Sequence, residues 1–380
     1  MNRYALRRTS PRDRTVAALS GRLPRVGLDG VLGDLNQAAR PCEVPGGAAG
    51  DGFTWADRDG DDPSWTPQGV ACTRSGDVLL VSWYARRRWL VRTQGSRISV
   101  VDRRDPQWPR YRHVLLVSAR RRLRVLTLGG VRVHAGGIAV VGGLLYVADT
   151  LHGVRIFRLD DVMRAPRRRL DEVLPWSGAG TRTLGLRPTG GALGYDYVLP
   201  EALRLRVRPR AGPRRLRYSF LSVGQVEGRL NLVVGEYGRT GTMPRLARYP
   251  LDPVTGSPAF DDHGRWAPLD VYEHQPHRMQ GVAVHGTTWF VTASTGEGNP
   301  GDLHVGSPGH LHRHRGVLPT GPEDLDWSRP GEELWCVTEW PGRRWVFPID
   351  ARRWARAAAR PHEAPPERGA AASVRGGRRS

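Results

Sequence analysis

Two stretches of the chain, 144 residues apart, align without a gap. The first is Gly137-Ile-Ala-Val-Val-Gly-Gly-Leu-Leu-Tyr-Val-Ala-Asp-Thr150 and the second is Gly281-Val-Ala-Val-His-Gly-Thr-Thr-Trp-Phe-Val-Thr-Ala-Ser294. Each reads as a short strand, a turn that contains glycine and a second strand rich in aromatic or β-branched residues. A unit used more than once indicates a repeat architecture, in which equivalent positions of different repeats converge in space.

The same unit can be followed through most of the chain. First strands are predicted to begin near Gln68, Gly136, Ser219, Gln280 and Glu323, and each is followed by a second strand that turn-forming residues bound. The predicted second strands are Val78–Trp83, Leu144–Asp149, Leu230–Glu236, Trp289–Ala293 and Leu334–Glu339, and the candidate fourth strands are 112–118, 195–199, 267–272 and 310–317.

Three or four short antiparallel strands per unit, repeated radially, predict an all-β fold, a β-propeller. Five units over residues 65–350 give about 57 residues per blade, which is long for a propeller repeat. Five blades are therefore the first expectation, and six remain the alternative if the insertion at 161–194 holds a degenerate blade. The last unit has only three clear strands, so a strand near Phe53–Ala56 is predicted to close the ring.

Charge is concentrated at the two ends of the chain. All 58 basic residues are arginine, and the net charge is +21. Residues 1–45 are predicted to be a basic, partly disordered segment, 46–350 the propeller, and 351–380 a disordered tail after a short helix at 351–359. Arginine runs favour non-specific binding to polyanions, but no nucleic-acid-binding motif accompanies them, so no specific nucleic-acid partner is predicted.

Cysteine usage and hydropathy exclude several classes of protein. The three cysteines, Cys42, Cys72 and Cys336, are far apart, which argues against a disulfide scaffold or a zinc knuckle, and the last two are predicted to be buried thiols. No apolar run of 18 residues is present, so no transmembrane helix is expected, and no secretion leader is visible.

Several phrases carry a resemblance to a known family. Trp65-Thr-Pro-Gln-Gly-Val-Ala, His134-Ala-Gly-Gly-Ile-Ala, Val234-Gly-Glu-Tyr, Met279-Gln-Gly-Val and Pro322-Glu-Asp-Leu are similar to segments of uncharacterised, mostly secreted β-propeller proteins of actinomycetes. The resemblance covers about Trp65 to Asp350. It implies a propeller and an exported protein, without an established activity.

The repeat also predicts which side chains surround the mouth of the central channel. In a propeller, the inner strand of each blade begins at the face where the second strand ends. Inner-strand starts give Gln68, His134, Gln280, Glu323 and Asp324 as ligand-binding candidates. Second-strand ends give Trp83 as another and Asp149, Glu236 and Glu339 as candidate catalytic carboxylates.

Carboxylates that end apolar strands need water, a partner charge or a metal. Three of them at one mouth would raise at least one pKa, as in a general acid, or would hold a hard cation such as calcium. The alternative is that each pairs with a nearby arginine.

Two weaker signals concern metals. Asp57-Arg-Asp-Gly-Asp-Asp62 is acidic, but its glycine is misplaced for an EF-hand, so a solvated loop is favoured. His310-Leu-His-Arg-His314 places three imidazoles on one strand face, where an exposed outer strand is favoured over a metal site.

Three functions follow from these observations. The first is a binding or scaffold propeller whose channel mouth holds a small-molecule or glycan-like ligand. The second is a carboxylate-dependent or calcium-dependent hydrolase of glycosides or lactones at the same mouth. The third is association with anionic polymers through the arginine runs.

Overall fold

We analysed a computed structural model, which describes residues 2–86, 95–122, 125–165, 195–207, 215–328, 330 and 332–359. Short strands separated by glycine- and proline-containing turns make up most of it, as the β-branched and aromatic runs predict. In chain order the strands are β1 (Leu6–Arg8), β2 (Gln37–Ala38), β3 (Arg40–Cys42), β4 (Gly52–Thr54), β5 (Trp65–Cys72), β6 (Val78–Ala85), β7 (Ser96–Asp102), β8 (Arg110–Arg122), β9 (Val125–Gly130), β10 (Ile138–Val141), β11 (Leu144–Asp149), β12 (Gly153–Arg158), β13 (Met163–Arg164), β14 (Tyr197–Val207), β15 (Phe220–Val226), β16 (Arg229–Gly235), β17 (Leu246–Pro250), β18 (Arg265–Trp266), β19 (Asp270–Tyr272), β20 (Met279–His285), β21 (Thr288–Ala293), β22 (Pro300–Ser307), β23 (His310–Thr320), β24 (Pro322–Ser328), β25 (Glu333–Thr338) and β26 (Trp345–Asp350).

These strands form successive antiparallel groups, which we call blades 1 to 5. Blade 1 is β5 to β9, blade 2 is β10, β11, β12 and β14, blade 3 is β15, β16, β17 and β19, and blade 4 is β20 to β23. Blade 5 is β24, β25 and β26, continued by β4 and β3 from the start of the chain. Blades 1 and 2 merge into one sheet because β14 pairs in parallel with β8. The predicted first, second and fourth strands are confirmed.

The inner strands close a ring. In cyclic order, β5 contacts β10, β10 contacts β15, β15 contacts β20, β20 contacts β24, and β24 contacts β5. Glycine permits this approach: a Cβ on Gly137 would lie 2.4 Å from the backbone nitrogen of Leu221 in blade 3, and one on Gly281 would lie 2.5 Å from that of Leu325 in blade 5. The fold is a β-propeller. Five blades stay a prediction, because most of the insertion on which the six-blade alternative depends lies outside the described residues.

The start of the chain completes the last blade. Strand β4 pairs with β26, with Phe53 opposite Val346 and Thr54 opposite Trp345. This confirms the predicted closing strand. Trp55, which follows β4, is fully buried and packs against Trp83 of blade 1 at a ring-centroid distance of 4.8 Å. Closure therefore also builds the core between blades 5 and 1.

The N-terminal segment packs on the propeller, although its basic composition predicted partial disorder. Strand β1 pairs with both β14 and β18. The helices Asp13–Ser20 and Gly27–Leu32 bury Leu19 and Val31 against the blades. Burial of these apolar side chains offsets the cost of ordering an arginine-rich segment.

The remaining helices are short. One covers Asp57–Asp61 and another covers Ala351–Ala359, where a short helix was predicted. The tail from residue 360, predicted to be disordered, lies outside the described residues. Within the described part of the chain, no helix has both the length and the apolarity needed to cross a membrane. Cys72 and Cys336 are buried free thiols, as predicted.

Candidate functional site

A β-bulge recurs at the start of the inner strand in blades 1, 4 and 5. The strand register shifts between Pro67 and Val70 in blade 1, between Met279 and Gly281 in blade 4, and between Pro322 and Leu325 in blade 5. A bulge adds one residue to its strand and redirects the side chains beside it. The residues at these bulges are Gln68, Gln280, Glu323 and Asp324, so one local irregularity, used three times, presents four of the predicted site residues.

Hydroxyl groups opposite two bulges hold neighbouring blades together. In blade 1, Ser82 Oγ accepts a hydrogen bond from the Gly69 amide (2.8 Å) and donates to the Ala135 carbonyl before blade 2 (2.8 Å). In blade 4, Thr292 Oγ1 donates to the Glu323 carbonyl of blade 5 (2.6 Å). The equivalent positions of blades 2 and 3 are Ala148 and Gly235, which have no hydroxyl.

Glu323 and Glu339 face one another in blade 5, and a glutamine contacts each of them. Gln280 Nε2 donates to Glu323 Oε1 at 3.0 Å, and Gln68 Nε2 lies 3.5 Å from Glu339 Oε2. Glu323 and Gln68 are buried, whereas Glu339 and Gln280 are half-buried. Gln68 Oε1 is buried and has no hydrogen-bond partner among the described residues. The mouth therefore has two buried polar side chains, Glu323 and Gln68, beside two more accessible ones, Glu339 and Gln280.

The two carboxyl groups share their environment and so influence each other's charge. Burial raises the pKa of Glu323 well above its usual value, and the charges of Glu339 and Asp324 add to this rise. Burial also raises the pKa of Glu339, although the nearby Arg86 guanidinium opposes the rise. A raised pKa favours the protonated form, and a protonated Glu323 can donate a hydrogen bond to the Glu339 carboxylate. The pair can thus donate and accept protons at one place.

Asp324, next to Glu323 in the same bulge, connects blade 5 to two other blades. Its Oδ2 accepts hydrogen bonds from the backbone amides of Val70 in blade 1 (3.3 Å) and Ile138 in blade 2 (3.0 Å). The equivalent inner-strand positions of blades 1, 2 and 4 are glycines, so the Asp324 side chain has the space to reach across. Asp324 was predicted to contact a ligand, and the structure places it as a fully buried bridge between three blades.

Asp149 and Glu236, predicted as catalytic carboxylates, lie in ion pairs of their own blades. Asp149 Oδ2 accepts from Arg155 Nε at 2.9 Å, and its Oδ1 lies 2.8 Å from His152 Nδ1. Glu236 accepts from Arg245 through both oxygens, at 2.7 and 2.9 Å. The sequence placed three carboxylates at one mouth, and the structure brings only Glu339 to Glu323, because arginines from the adjoining strands engage the other two.

Trp83 and His134 also differ from the rest of the predicted set. Trp83 was predicted at the mouth, but its ring is fully buried in the core between blades 5 and 1, and its Nε1 donates to Ser99 Oγ at 2.8 Å. His134 is exposed at the rim and stacks on Tyr84 with ring centroids 4.4 Å apart. The described structure gives His134 no acid or base partner.

Arg344 was missed by the sequence reasoning. It lies opposite Glu339 in the register that pairs Val337 with Val346, as Arg245 lies opposite Glu236 in blade 3. Its guanidinium forms no ion pair with the Glu339 carboxylate within the described residues. Its Nε donates to the backbone carbonyl of Glu339 (3.1 Å), and its other nitrogens donate to the carbonyls of Asp59 (2.7 Å), Asp62 (3.1 Å) and Trp65 (2.6 Å). Burial lowers its pKa to about 10. Glu339 remains available to Glu323 because this arginine is held elsewhere.

The structure gives the residues of both candidate metal sites other roles. Asp59 is not in a solvated loop: it is buried and accepts from Arg97 (2.8 Å) and Tyr111 (2.7 Å), and it lies 3.0 Å from His113. His310 and His312 are exposed on the outer strand β23, as favoured. Within the part of the chain that the structure describes, no three His, Cys, Asp or Glu side chains are grouped to hold a metal ion. Calcium therefore has no evident ligand set there.

Solved structures with related folds were found, all at low identity. A gluconolactonase from Xanthomonas campestris matches over 83% of this chain and 89% of its own, at 13% identity and a TM-score of 0.32. The β-xylosidase RS223 matches over 76% and 92%, at 11% identity and a TM-score of 0.37. The β-propeller domain of Cps50 (Swd1) from Myceliophteria thermophila matches over 74% and 83%, at 13% identity and a TM-score of 0.33.

No family model and no curated protein matches the sequence. The resemblance to actinomycete propeller proteins therefore stays a prediction. Because the structural similarities are low, the fold rests on the ring of inner strands and its closure by β4. The class of protein is a β-propeller with two adjacent acidic side chains, the buried Glu323 and the half-buried Glu339, at the mouth of its channel.

Proposed function

We propose that the channel mouth binds a small, hydroxyl-rich ligand of the glycan type, and that the protein works as a binding propeller. The pairing of Glu323 with Glu339, with Gln280 and Gln68 beside them, is the observation that carries this proposal. A carboxyl pair with one proton and two amides offers both donors and acceptors within one small site. Sugar hydroxyls need both.

The layered burial supports a ligand that enters from the open side. Glu339 and Gln280 are half-buried, and Gln68 beneath them keeps a buried carbonyl oxygen without a partner among the described residues. An unpartnered buried acceptor costs free energy, and a ligand hydroxyl would satisfy it. Tyr84 and His134, stacked at the rim, add the flat surface that sugar rings pack against.

Ligand-observed NMR with a panel of disaccharides tests the proposal. Binding should weaken at least tenfold in E323Q and in Gln280→Ala, since a hydrogen bond to a charged or proton-sharing group contributes about 1.5–3 kcal/mol. Glu297→Gln, at an exposed carboxylate on a loop of blade 4, is the matched control and should bind normally. Absence of binding to every disaccharide, or equal loss in E297Q, would contradict the proposal.

A second candidate is acid–base hydrolysis at the same pair. It is favoured by one observation, namely that Glu323 and Glu339 are adjacent carboxyl groups whose pKa values are both raised. Protonated Glu323 would donate to a leaving oxygen, while ionised Glu339 would take a proton from the attacking water. Turnover of 4-nitrophenyl glycosides and aliphatic lactones distinguishes the two functions.

For a hydrolase, E323Q and E339Q should lose turnover by at least a hundredfold while ligand affinity changes less. The pH–rate profile should be bell-shaped, because one group must be protonated and the other ionised. No turnover of any of these substrates by the unmodified protein would remove the hydrolase and leave the binding propeller.

A further inference from the structure

Arginines that form no ion pair within the described residues lie on loops at the mouth end of all five blades. They share a position beside an inner-strand start or a second-strand end. Two of them have neutral partners, since Arg86 Nε donates to Thr66 Oγ1 (2.8 Å) and Arg278 donates to the Thr295 carbonyl (3.2 Å). Five are exposed and Arg86 is half-buried. They are Arg86, Arg132, Arg217, Arg239, Arg278 and Arg343.

The topology fixes these arginines at the mouth end of the blades. The Arg86 amide bonds to the Ser64 carbonyl just before the inner strand of blade 1, and Arg86 is close enough to act on the Glu339 carboxylate. The Arg278 amide bonds to Gly238, and its carbonyl accepts from Ser294 beyond the second strand of blade 4. The Arg217 amide donates to Glu236 Oε1 at 2.8 Å, at the second-strand end of blade 3.

Acidic side chains at the same end are already neutralised, with few exceptions. Asp149 pairs with Arg155, Glu236 pairs with Arg245, and Glu273 pairs with Arg3. Glu297 is exposed, and no ion pair of the described residues includes it. The loops around the mouth therefore carry an excess of positive charge.

Two residues that precede inner strands at the mouth have a strained backbone. Arg278 has φ +59° and Ala135 has φ +53°, both left-handed conformations that side chains other than glycine and asparagine seldom adopt. Each lies one or two residues before the inner-strand motif of its blade. Such strain persists where the surrounding structure enforces it, and it concentrates at binding sites.

We infer that the ligand of this mouth is a carboxylated saccharide, whose carboxylates bind the rim arginines while a sugar ring enters between Gln280 and Glu339. This inference rests on the proposed function and specifies its ligand class. Arginine suits the task because its planar fork meets both oxygens of a carboxylate. Arg86 belongs to blade 1 and Arg278 to blade 4, and these two blades are not neighbours in the ring. An oligomer with several carboxylates can reach both arginines, whereas a single sugar acid has only one carboxylate.

The experiment compares trigalacturonate with its methyl ester, which has the same sugar chain without the charge. Isothermal titration should show the acid form binding at least tenfold more tightly, with an affinity that falls as salt rises. The double variant R217Q/R278Q should lose this preference and leave the affinity for the ester unchanged. The control R74Q/R229Q removes two exposed arginines from turns at the opposite end of blades 1 and 3, and should change neither affinity.

Three results would overturn the inference. Equal affinity for acid and ester would show that charge is not recognised, and equal loss in both double variants would show non-specific attraction of polyanions. Binding of neither compound, with a disaccharide of the panel still bound, would also exclude this ligand class. The proposed binding function would be contradicted by a different result, namely that E323Q leaves the binding of the ester or of the disaccharides unchanged. Thermal unfolding of each variant, compared with the unmodified protein, verifies that the fold is retained.

Discussion

Blades 3 and 5 place a glutamate and an arginine at equivalent positions and use them differently. In blade 3, Glu236 and Arg245 form a two-pronged ion pair. In blade 5, Glu339 and Arg344 occupy the same register, but Arg344 binds backbone carbonyls of residues 59–65 and Glu339 faces Glu323. A carboxylate can therefore become available for a site when its equivalent arginine binds elsewhere, without the addition of a charged group.

The sharpest way to break this comparison is to remove each glutamate. Glu236→Ala should lower the free energy of unfolding by about 3 kcal/mol, because the largely buried Arg245 guanidinium would lose both of its hydrogen bonds to the Glu236 carboxylate. Glu339→Ala should lower it by less than about 1 kcal/mol, since its carboxyl group is in an unfavourable environment already. Equilibrium unfolding in urea measures both, and equal losses would contradict the proposed difference between the blades.

Removing the arginine tests the other half of the comparison. Arg344→Met should cost about 2 kcal/mol, because the carbonyls of Asp59, Asp62 and Trp65 would lose a shared donor. Its exposed neighbour gives the control: Arg343→Met should change stability by less than about 0.5 kcal/mol. If R344M proved as stable as R343M in urea, Arg344 would not be what holds the first residues of the ring against blade 5.

The hydroxyls opposite the bulges should have an intermediate effect. Thr292→Val removes the 2.6 Å hydrogen bond to the Glu323 carbonyl and should cost about 1 kcal/mol. Exposed Thr287 on the same hairpin is the control, and Thr287→Val should be nearly neutral. Ligand affinity should also fall in T292V but not in T287V, because Glu323 would lose its fixed position. Unchanged affinity in T292V would show that this hydrogen bond at the bulge does not contribute to ligand binding.

The smallest expected effect is the pH dependence of stability. Glu323 and Glu339 have folded pKa values above their unfolded values, so they bind more protons when folded, and their contribution is lost as pH rises from the unfolded to the folded pKa. The unmodified protein should lose stability relative to E323Q/E339Q above about pH 4.5. Unfolding in urea at several pH values measures this, and a constant difference would contradict the raised pKa values.

Glu201 in blade 2 should act in the opposite direction. Burial favours its protonated form, but Arg204, Arg155 and Arg12 outweigh this and lower its pKa. Its stabilisation should therefore be lost as pH falls. In the same measurement of unfolding in urea at several pH values, Glu201→Gln should reduce the loss of stability as pH falls. It should not change the loss of stability that Glu323 causes as pH rises.

Much of the fold could be read from the sequence because its signals are local. Apolar alternation and turn residues predicted the strands, and the repeat register brought Gln68, Gln280, Glu323 and Glu339 to one mouth. The bulges that present three of these side chains were not predicted from the sequence. A hydroxyl after the valine of the second strand, at Ser82, Thr292 and Thr338, marks those blades and could have indicated them.

The ion pairs at the mouth and the position of Trp83 depend on contacts that the sequence pattern does not specify. Asp149 and Glu236 end their strands at the mouth, as predicted, but the pattern did not show that Arg155 and Arg245 on the next strands would pair with them. Trp83 was misplaced because its neighbour Trp55 belongs to the segment that closes the ring. The same segment binds Arg344, so one long-range closure explains both a missed residue and a misplaced one.

Asp324 makes three blades depend on one side chain. Its carboxylate accepts hydrogen bonds from the inner strands of blades 1 and 2 while its own backbone belongs to blade 5. Loss of this carboxylate would leave two buried amides without their acceptor, which costs free energy. The closure of the ring is therefore secured at its centre as well as at its edge, where β4 pairs with β26.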